Sequence, residues 1–316
     1  MRSLWKDILV AVWLGMVLPG MVLNVFVLKD RLRRTQQTSA ISAETVENVS
    51  CMISVRDSEG LCIEMDMDAY LTGVLLAEIP ATFHKEALKA QAVAARTYTW
   101  KAYTSGGKHG DSSVCTDPAC CQAYMSEEAY LSSGGSQEDL EIIRRSVYDT
   151  STMVLLYDGE LIEATYFSSS GGKTEAAIAV WGSDYPYLQA VSSPEETSVE
   201  TIFYTREEFE EILGIPASGE MAQWFGPVVY TEGGGVASME ICGDTYTGVQ
   251  LRALFGLRST AFEIQTVEKG IIITTKGYGH RVGMSQYGAN AMAEQGSTWQ
   301  QILQHYYPGT IISPLF

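Results

Sequence analysis

A chain of 316 residues that is 46% hydrophobic can bury a substantial core in one large or two ordinary domains, which excludes wholesale disorder. Its formal net charge of −17 is unevenly placed: residues 1–34 carry six Lys/Arg against two Asp, so the remaining 282 residues carry −21. So acidic a body excludes nucleic-acid binding of the basic-patch kind.

The first element predicted is a membrane helix. Ile8 to Leu28 supplies 21 mostly apolar residues after a short tail, residues 1–7, and is long enough to cross about 30 Å of hydrocarbon. A cleaved signal peptide is the competing reading, but Arg31, Arg33 and Arg34 follow the apolar run at once, and the only small-residue site, near Ala40 to Ala43, lies far downstream. Counting Lys and Arg on the two flanks would place the bulk of the chain in the cytoplasm. Residues 29–48, rich in Ser, Thr and Gln toward their end, read as a linker, and the folded body is expected over 49–316.

Alternating apolar residues around Asp57-Ser58-Glu59-Gly60 predict a β-hairpin over Cys51 to Met67, with Cys62 opposite Val55 and Cys51 opposite Asp66, which argues against a disulfide between the two cysteines. A helix follows, capped by Asp68, with Leu71, Val74 and Leu75 at helical spacing and Pro80 forbidding its continuation. Glu78 therefore falls in the last turn. There the negative end of the helix dipole and apolar neighbours raise a carboxyl pKa, as a general acid requires, although a Glu before a proline taken alone reads as a solvated helix end. An Ala-rich helix is expected over His84 to Tyr103.

His109, Cys115, Cys120 and Cys121 then fall within thirteen residues of a Gly/Ser/Asp-rich loop, 106–123, and match a tetrahedral zinc shell. With four protein ligands the ion would be structural. A disulfide from Cys115 to Cys120 or Cys121 is the alternative. Strands are expected at Met153 to Tyr157 and Leu161 to Phe167 about an Asp158-Gly159 turn, and helices at the capping boxes Thr205/Glu208, Thr247/Gln250 and Ser297/Gln300. Strands in hairpins with helices between them predict an α+β fold: a single mixed helix and hairpin-sheet domain.

Two glycine-rich polar segments remain. Lys276 to Gly296 interleaves glycines with His280, Ser285, Gln286 and Tyr287, and Tyr166 to Gly172 contains Ser169 and Ser170. Trp181 and the run Tyr185-Pro186-Tyr187 add aromatic faces. Backbone that a ligand can approach closely, neutral hydrogen-bonding groups and aromatic platforms suit a carbohydrate. Taken singly, glycine runs are turns and His280 is a structural hydrogen bonder.

The segments AEIPATFHKEALKAQAVAARTY, SSSGGKTEAAIAVWG, GVQLRALFGLRSTAF and KGYGHRVGMSQYGANAMA, in this order, resemble the stage II sporulation protein D family, which includes the amidase enhancers. The resemblance covers roughly residues 50 to 310. It implies a lytic transglycosylase that cuts peptidoglycan glycan strands stripped of stem peptides, between N-acetylmuramic acid and N-acetylglucosamine, leaving 1,6-anhydro ends during forespore engulfment. It maps the catalytic acid onto Glu78 and further site residues onto Lys89 and Arg96, with Gln91, Ser169, Ser170, Tyr187, His280, Ser285, Gln286 and Tyr287 expected to bind the strand. Arg281 stands where the family often has glycine. A zinc site like that of His109, Cys115, Cys120 and Cys121 occurs in some members and not in others. The implied partners are the stage II protein P amidase and the stage II protein M membrane protein. The implied location is the mother-cell membrane with the domain outside the cytoplasm, against the charge count. Two other functions stay open: a non-enzymatic glycan binder that stimulates an amidase, and a zinc amidase, which would need an open metal position.

Overall fold

The computed structural model describes residues 51–215 and 219–315. The tail, the apolar span 8–28 and the linker fall outside them, and no helix among the described residues is long and apolar enough to cross a membrane.

Strands β1 (Met52–Arg56) and β2 (Cys62–Asp66) form the expected hairpin, but Arg56, not Val55, faces Cys62. The loop is one residue longer than the sequence pattern suggests, because the Asp57 carboxylate accepts the amides of both Glu59 (2.9 Å) and Leu61 (2.8 Å) and draws Leu61 into the turn. Helix α1 (Met67–Glu78) follows directly. Its cap is Asp66, which accepts the amides of Asp68 and Ala69, so Asp68 lies in the first turn instead of capping it. Ile79 is extended ahead of Pro80, which leaves Glu78 as the last helical residue. Tyr70, Leu71, Val74 and Leu75 are fully buried.

Helix α2 (Lys85–Thr104), capped by His84, is the spine of the larger core. Its fully buried Ala87, Ala90 and Ala94 carry so little side chain that neighbouring elements approach closely. The loop after it enters β3 (Val114–Cys115), which pairs parallel with β1, and leads through α3 (Glu127–Ser132) to α4 (Gln137–Asp149). Strands β4 (Met153–Tyr157) and β5 (Glu160–Leu161) make the predicted Asp158-Gly159 turn, both residues having positive φ. The strand expected over Leu161 to Phe167 is broken: only β6 (Tyr166–Phe167) resumes after Leu161, and it pairs parallel with Met284 and Ser285 instead of continuing the hairpin. A short helix, α5 (Ala177–Trp181), closes this half.

Residues 199–275 build a second core. Strand β7 (Val199–Thr205), helix α6 (Arg206–Leu213), the meander β8 (Phe225–Tyr230), β9 (Val236–Ile241) and β10 (Asp244–Thr247), helix α7 (Gly248–Leu254) and the hairpin β11 (Phe262–Val267) and β12 (Gly270–Lys276) contribute to it. Their sheets run β10-β9-β8 and β11-β12-β7, all antiparallel, around Phe209, Trp224, Leu251 and Ile271. Both predicted capping boxes in this region are formed.

The chain then returns to the first core through β13 (Met284–Ser285), α8 (Gln286–Glu294), α9 (Trp299–Tyr306) and β14 (Ile311–Pro314), which pairs with β4. The third capping box sits one residue later than expected, at Thr298 and Gln301. Val282, Met284, Ile302, Leu303 and Tyr306 pack with the buried alanines of α2. Residues from Met52 onward form one compact unit with two hydrophobic cores, an α+β arrangement whose strands are mostly in hairpins.

Candidate active site

Glu78 lies in a cleft of about 540 Å³ that is also lined by Tyr98, Gln122, Tyr166, Tyr278, His280 and Gln286. Five stretches of chain line it, α2 through Tyr98 and residues 165–168 among them, and the other three are each brought there by a nameable contact.

The first is the end of α1. The second is the segment after the cysteine loop, which reaches α1 because Gly73 has no side chain: a Cβ there would stand 2.2 Å from the Tyr124 ring. The Met125 amide bonds the Gly73 carbonyl at 3.0 Å, and the chain is thereby laid along the helix so that the Ala123 amide donates to Glu78 Oε1 at 2.7 Å. Beside it, Gln122 is locked by donating to Thr99 (2.9 Å) while accepting from the Tyr166 hydroxyl (2.9 Å). The third stretch is the glycine-rich loop 277–285, whose Tyr278 pairs backbone to backbone with Ser169.

Burial pushes the Glu78 carboxyl above the usual range; the Ala123 amide and, at longer range, the Gln286 side chain offset this only in part. Glu78 is the sole carboxylate lining the cleft among the described residues. His280 is shifted the other way, down to about 4, by burial and then by the charge of Arg252, with the Tyr166 backbone acting against them. It is therefore neutral at pH 7. Its Nδ1 accepts the Val282 amide (3.1 Å), which leaves the proton on Nε2, and its ring lies 5.2 Å from Trp181 and 5.6 Å from Phe167. Gln286 is 5% exposed and its Nε2 has no hydrogen-bond partner among the described residues, so a donor waits in the cleft wall.

The other sequence-derived site residues divide. Ser169 and Tyr287 line an adjoining cleft. Ser170 and Ser285 are fully buried and both donate to Glu195 Oε1, at 2.6 and 2.8 Å, so they hold a carboxylate instead of facing the cleft. Lys89 is ion-paired with Asp149 (3.2 Å) and Glu86 (3.6 Å) and lines neither cleft. Arg96 is 1% exposed and clamps α4 by donating to the carbonyls of Thr150 (2.8 Å) and Val147 (3.0 Å). Gln91 is fully buried on α2, and Tyr187 packs in the first core with its hydroxyl on the Glu163 amide (3.2 Å). Helical spacing places such residues on a face without saying which neighbour covers it.

Arg281 has positive φ (66°), the backbone form that favours glycine. The strain is held by a buried guanidinium that donates to the carbonyls of Ser170 (2.7 Å), Gly233 (2.7 Å) and Lys173 (2.8 Å) and pairs with Glu175 (3.1 Å). The loop bearing His280 is thus tied to the second core.

The ligating atoms of His109, Cys115, Cys120 and Cys121 all lie within 4.8 Å of one another. His109 Nε2 is 3.5 Å from the Cys121 sulfur and 3.7 Å from that of Cys120, and the two sulfurs are 3.9 Å apart. Bonds of about 2.3 Å to sulfur and 2.0 Å to nitrogen at tetrahedral angles demand edges of roughly 3.5–3.8 Å; His109, Cys120 and Cys121 match them, and Cys115, within 4.8 Å of the others, completes a donor set of the kind zinc takes. Cys121 also lines the cleft, and Ala123 is two residues beyond it.

A helix-borne carboxyl with raised proton affinity thus lies in a cleft lined by aromatic and amide side chains, the environment a general acid requires. Comparison with known proteins gives the family. The family model described as "Stage II sporulation protein" matches residues 56–157. The chain is 37% identical to stage II sporulation protein D of Bacillus subtilis, over 86% of this chain and 81% of that one, and 40% identical to the protein of the same name from Bacillus amyloliquefaciens, over 78% and 74%. It is also 29% identical to the amidase enhancer of Bacillus subtilis, over 77% of this chain and 40% of that protein. This chain belongs to the stage II sporulation protein D family.

Proposed function

We propose that the protein is a lytic transglycosylase acting on peptide-free peptidoglycan strands, with Glu78 as acid and then base. The observation that carries this reading is the raised Glu78 carboxyl with no second carboxylate lining its cleft among the described residues. Hydrolytic glycosidases use two carboxyl groups about 5–10 Å apart. A lone one suffices when the nucleophile belongs to the substrate. Glu78 protonates the oxygen that leaves the muramoyl anomeric carbon, and the C1–O bond breaks. The resulting carboxylate takes the proton of the muramoyl C6 hydroxyl as that oxygen closes on C1. The 1,6-anhydro ring forms, the carboxyl is regenerated and no water is consumed. Gln286 Nε2 and the neutral His280 supply hydrogen bonds to the sugar, and Tyr166 and Tyr278 supply apolar faces.

His109, Cys115, Cys120 and Cys121 would hold a zinc ion that fastens the loop leading to Ala123, a structural part, since four protein ligands would leave no open position for a metal-bound nucleophile. A strand substrate outside the cytoplasm places the domain there, anchored by residues 8–28 in the mother-cell membrane of a sporulating cell, with the stage II protein P amidase and the stage II protein M membrane protein as partners. The similarity to an amidase enhancer favours a second reading, in which the same cleft binds glycan and stimulates an amidase without cutting. Incubating the soluble body with denuded strands separates the two: mass spectrometry should find 1,6-anhydromuramoyl products, reduced about 100- to 10,000-fold in Glu78→Gln. Full cleavage by Glu78→Gln would end the proposal.

A further inference from the structure

A second cleft, of about 720 Å³, adjoins the Glu78 cleft and shares Ser168 and Tyr278 with it as a common wall. One side is a face of α8: Tyr287, Asn290, Ala291 and Glu294, at helical spacings of three and four, all line it. On the other side Arg258 holds its guanidinium over the Tyr278 ring at 5.6 Å, oriented by Glu200 at 2.8 Å. The rings of Tyr278 and Tyr287 are half exposed, at 52% and 48%, and Phe83 braces Tyr287 edge-on at 5.0 Å. Immobilised aromatic faces turned to solvent inside a groove, with amide and guanidinium donors beside them, suit the apolar face and the equatorial hydroxyls of a pyranose.

Charge narrows the ligand. Among the residues lining this cleft Arg258 is the sole cation, set among Glu195, Glu196 and Glu294, so a polyanion is repelled and a single carboxylate has one place to bind. A peptide-free glycan strand is of that kind: neutral sugars, with one carboxylate on the lactyl ether of each muramoyl unit.

We propose that the second cleft is a further strand-binding site, taking the sugars next to the bond held over Glu78, with Tyr278 as the platform common to both clefts and Arg258 as the contact for a muramoyl carboxylate. This rests on reading the Glu78 cleft as a glycan site. Tyr287, Asn290 and Arg258 then decide how long a strand must be to bind well.

The test uses the soluble body carrying Glu78→Gln, so that strands are bound and not consumed, and measures affinity for a tetrasaccharide and for long denuded strands. Tyr287→Ala and Arg258→Gln should each weaken long-strand binding about tenfold and leave the tetrasaccharide within about twofold. Ala291→Trp, which fills the cleft while removing no contact, should do the same. Unchanged long-strand affinity in Tyr287→Ala and Ala291→Trp, equal losses for both lengths, or no strand binding by the parent would each overturn the inference. Strand binding that behaves as expected, with no anhydro product from the Glu78 form, would overturn the reaction and leave this second site standing.

Discussion

Two carboxylates beside the glycine-rich loop show that desolvation alone does not set proton affinity. Glu195 is 8% exposed and yet is held below the usual carboxylate range, whereas the half-buried Glu78 is pushed above it. Burial acts upward on both. At Glu195 it is outweighed by the hydroxyl of Ser170, Ser193, the Ser170 amide and Ser285, all donating to the charged form. At Glu78 the Ala123 amide is the one donor within hydrogen-bond distance among the described residues, with the Gln286 side chain farther off. The number of donors facing the carboxylate therefore separates the acid held as an anion that knits the loops together from the one whose proton affinity is raised.

The largest effect should come from removing the anion that is already satisfied. Glu195→Gln sets an amide group against donors that need acceptors, and should cost about 3 kcal/mol, or roughly 6–12 °C in the melting temperature measured by calorimetry. Because the folded-state pKa of Glu195 is depressed, its contribution is present above the unfolded value near 4.3 and is lost as pH falls through the depressed one. The variant should accordingly lose part of the wild-type protein's acid destabilisation. Little change in melting temperature would show that the serines, not the carboxylate, organise this region.

The next effect is on rate. Glu78 has a raised folded-state pKa, so its ionisation costs stability as pH rises above the unfolded value, and cleavage that needs its proton should fall about tenfold per pH unit above the raised value. A profile of glycan cleavage against pH checks this; a limb that falls toward acid, in its place, would assign the essential group differently. The smallest effect separates the two regions by their scaffolds. Chelating the metal should speed amide exchange at Ala123 by about tenfold while the Ser170 amide stays protected, read by mass-resolved hydrogen exchange. Equal loosening at both would mean that the cysteine loop supports the whole body and not the Glu78 side alone.

Much of the local structure was readable in the residues. Pro80 stops α1 and so puts Glu78 at its end, Asp158-Gly159 turns its hairpin, and the boxes at Thr205 and Thr247 start their helices. Most errors are of one or two residues where a competing acceptor stood nearby, as with Asp66 for Asp68, Thr298 for Ser297 and the Asp57 loop, whereas the strand over Leu161 to Phe167 broke because Tyr166 and Phe167 pair with a segment more than a hundred residues away. The site was less legible. Glu78, His280 and Gln286 do meet, but Lys89, Gln91, Arg96 and Tyr187 went into ion pairs, clamps and core, and Gln122 and the Ala123 amide carried no signal in the sequence.

Caps, turns and helix ends act over a handful of residues, so the sequence alone determined where α1 ends, that its last residue is an acid, and that four side chains able to ligate a metal share one loop. Only the tertiary structure decided what that acid does. The Ala123 amide that donates to it stands 45 residues away, reached because Gly73 lets another segment lie against the helix, and the acid's desolvation is the summed effect of side chains from several distant stretches. Local pattern places a carboxyl; the packing around it sets its charge.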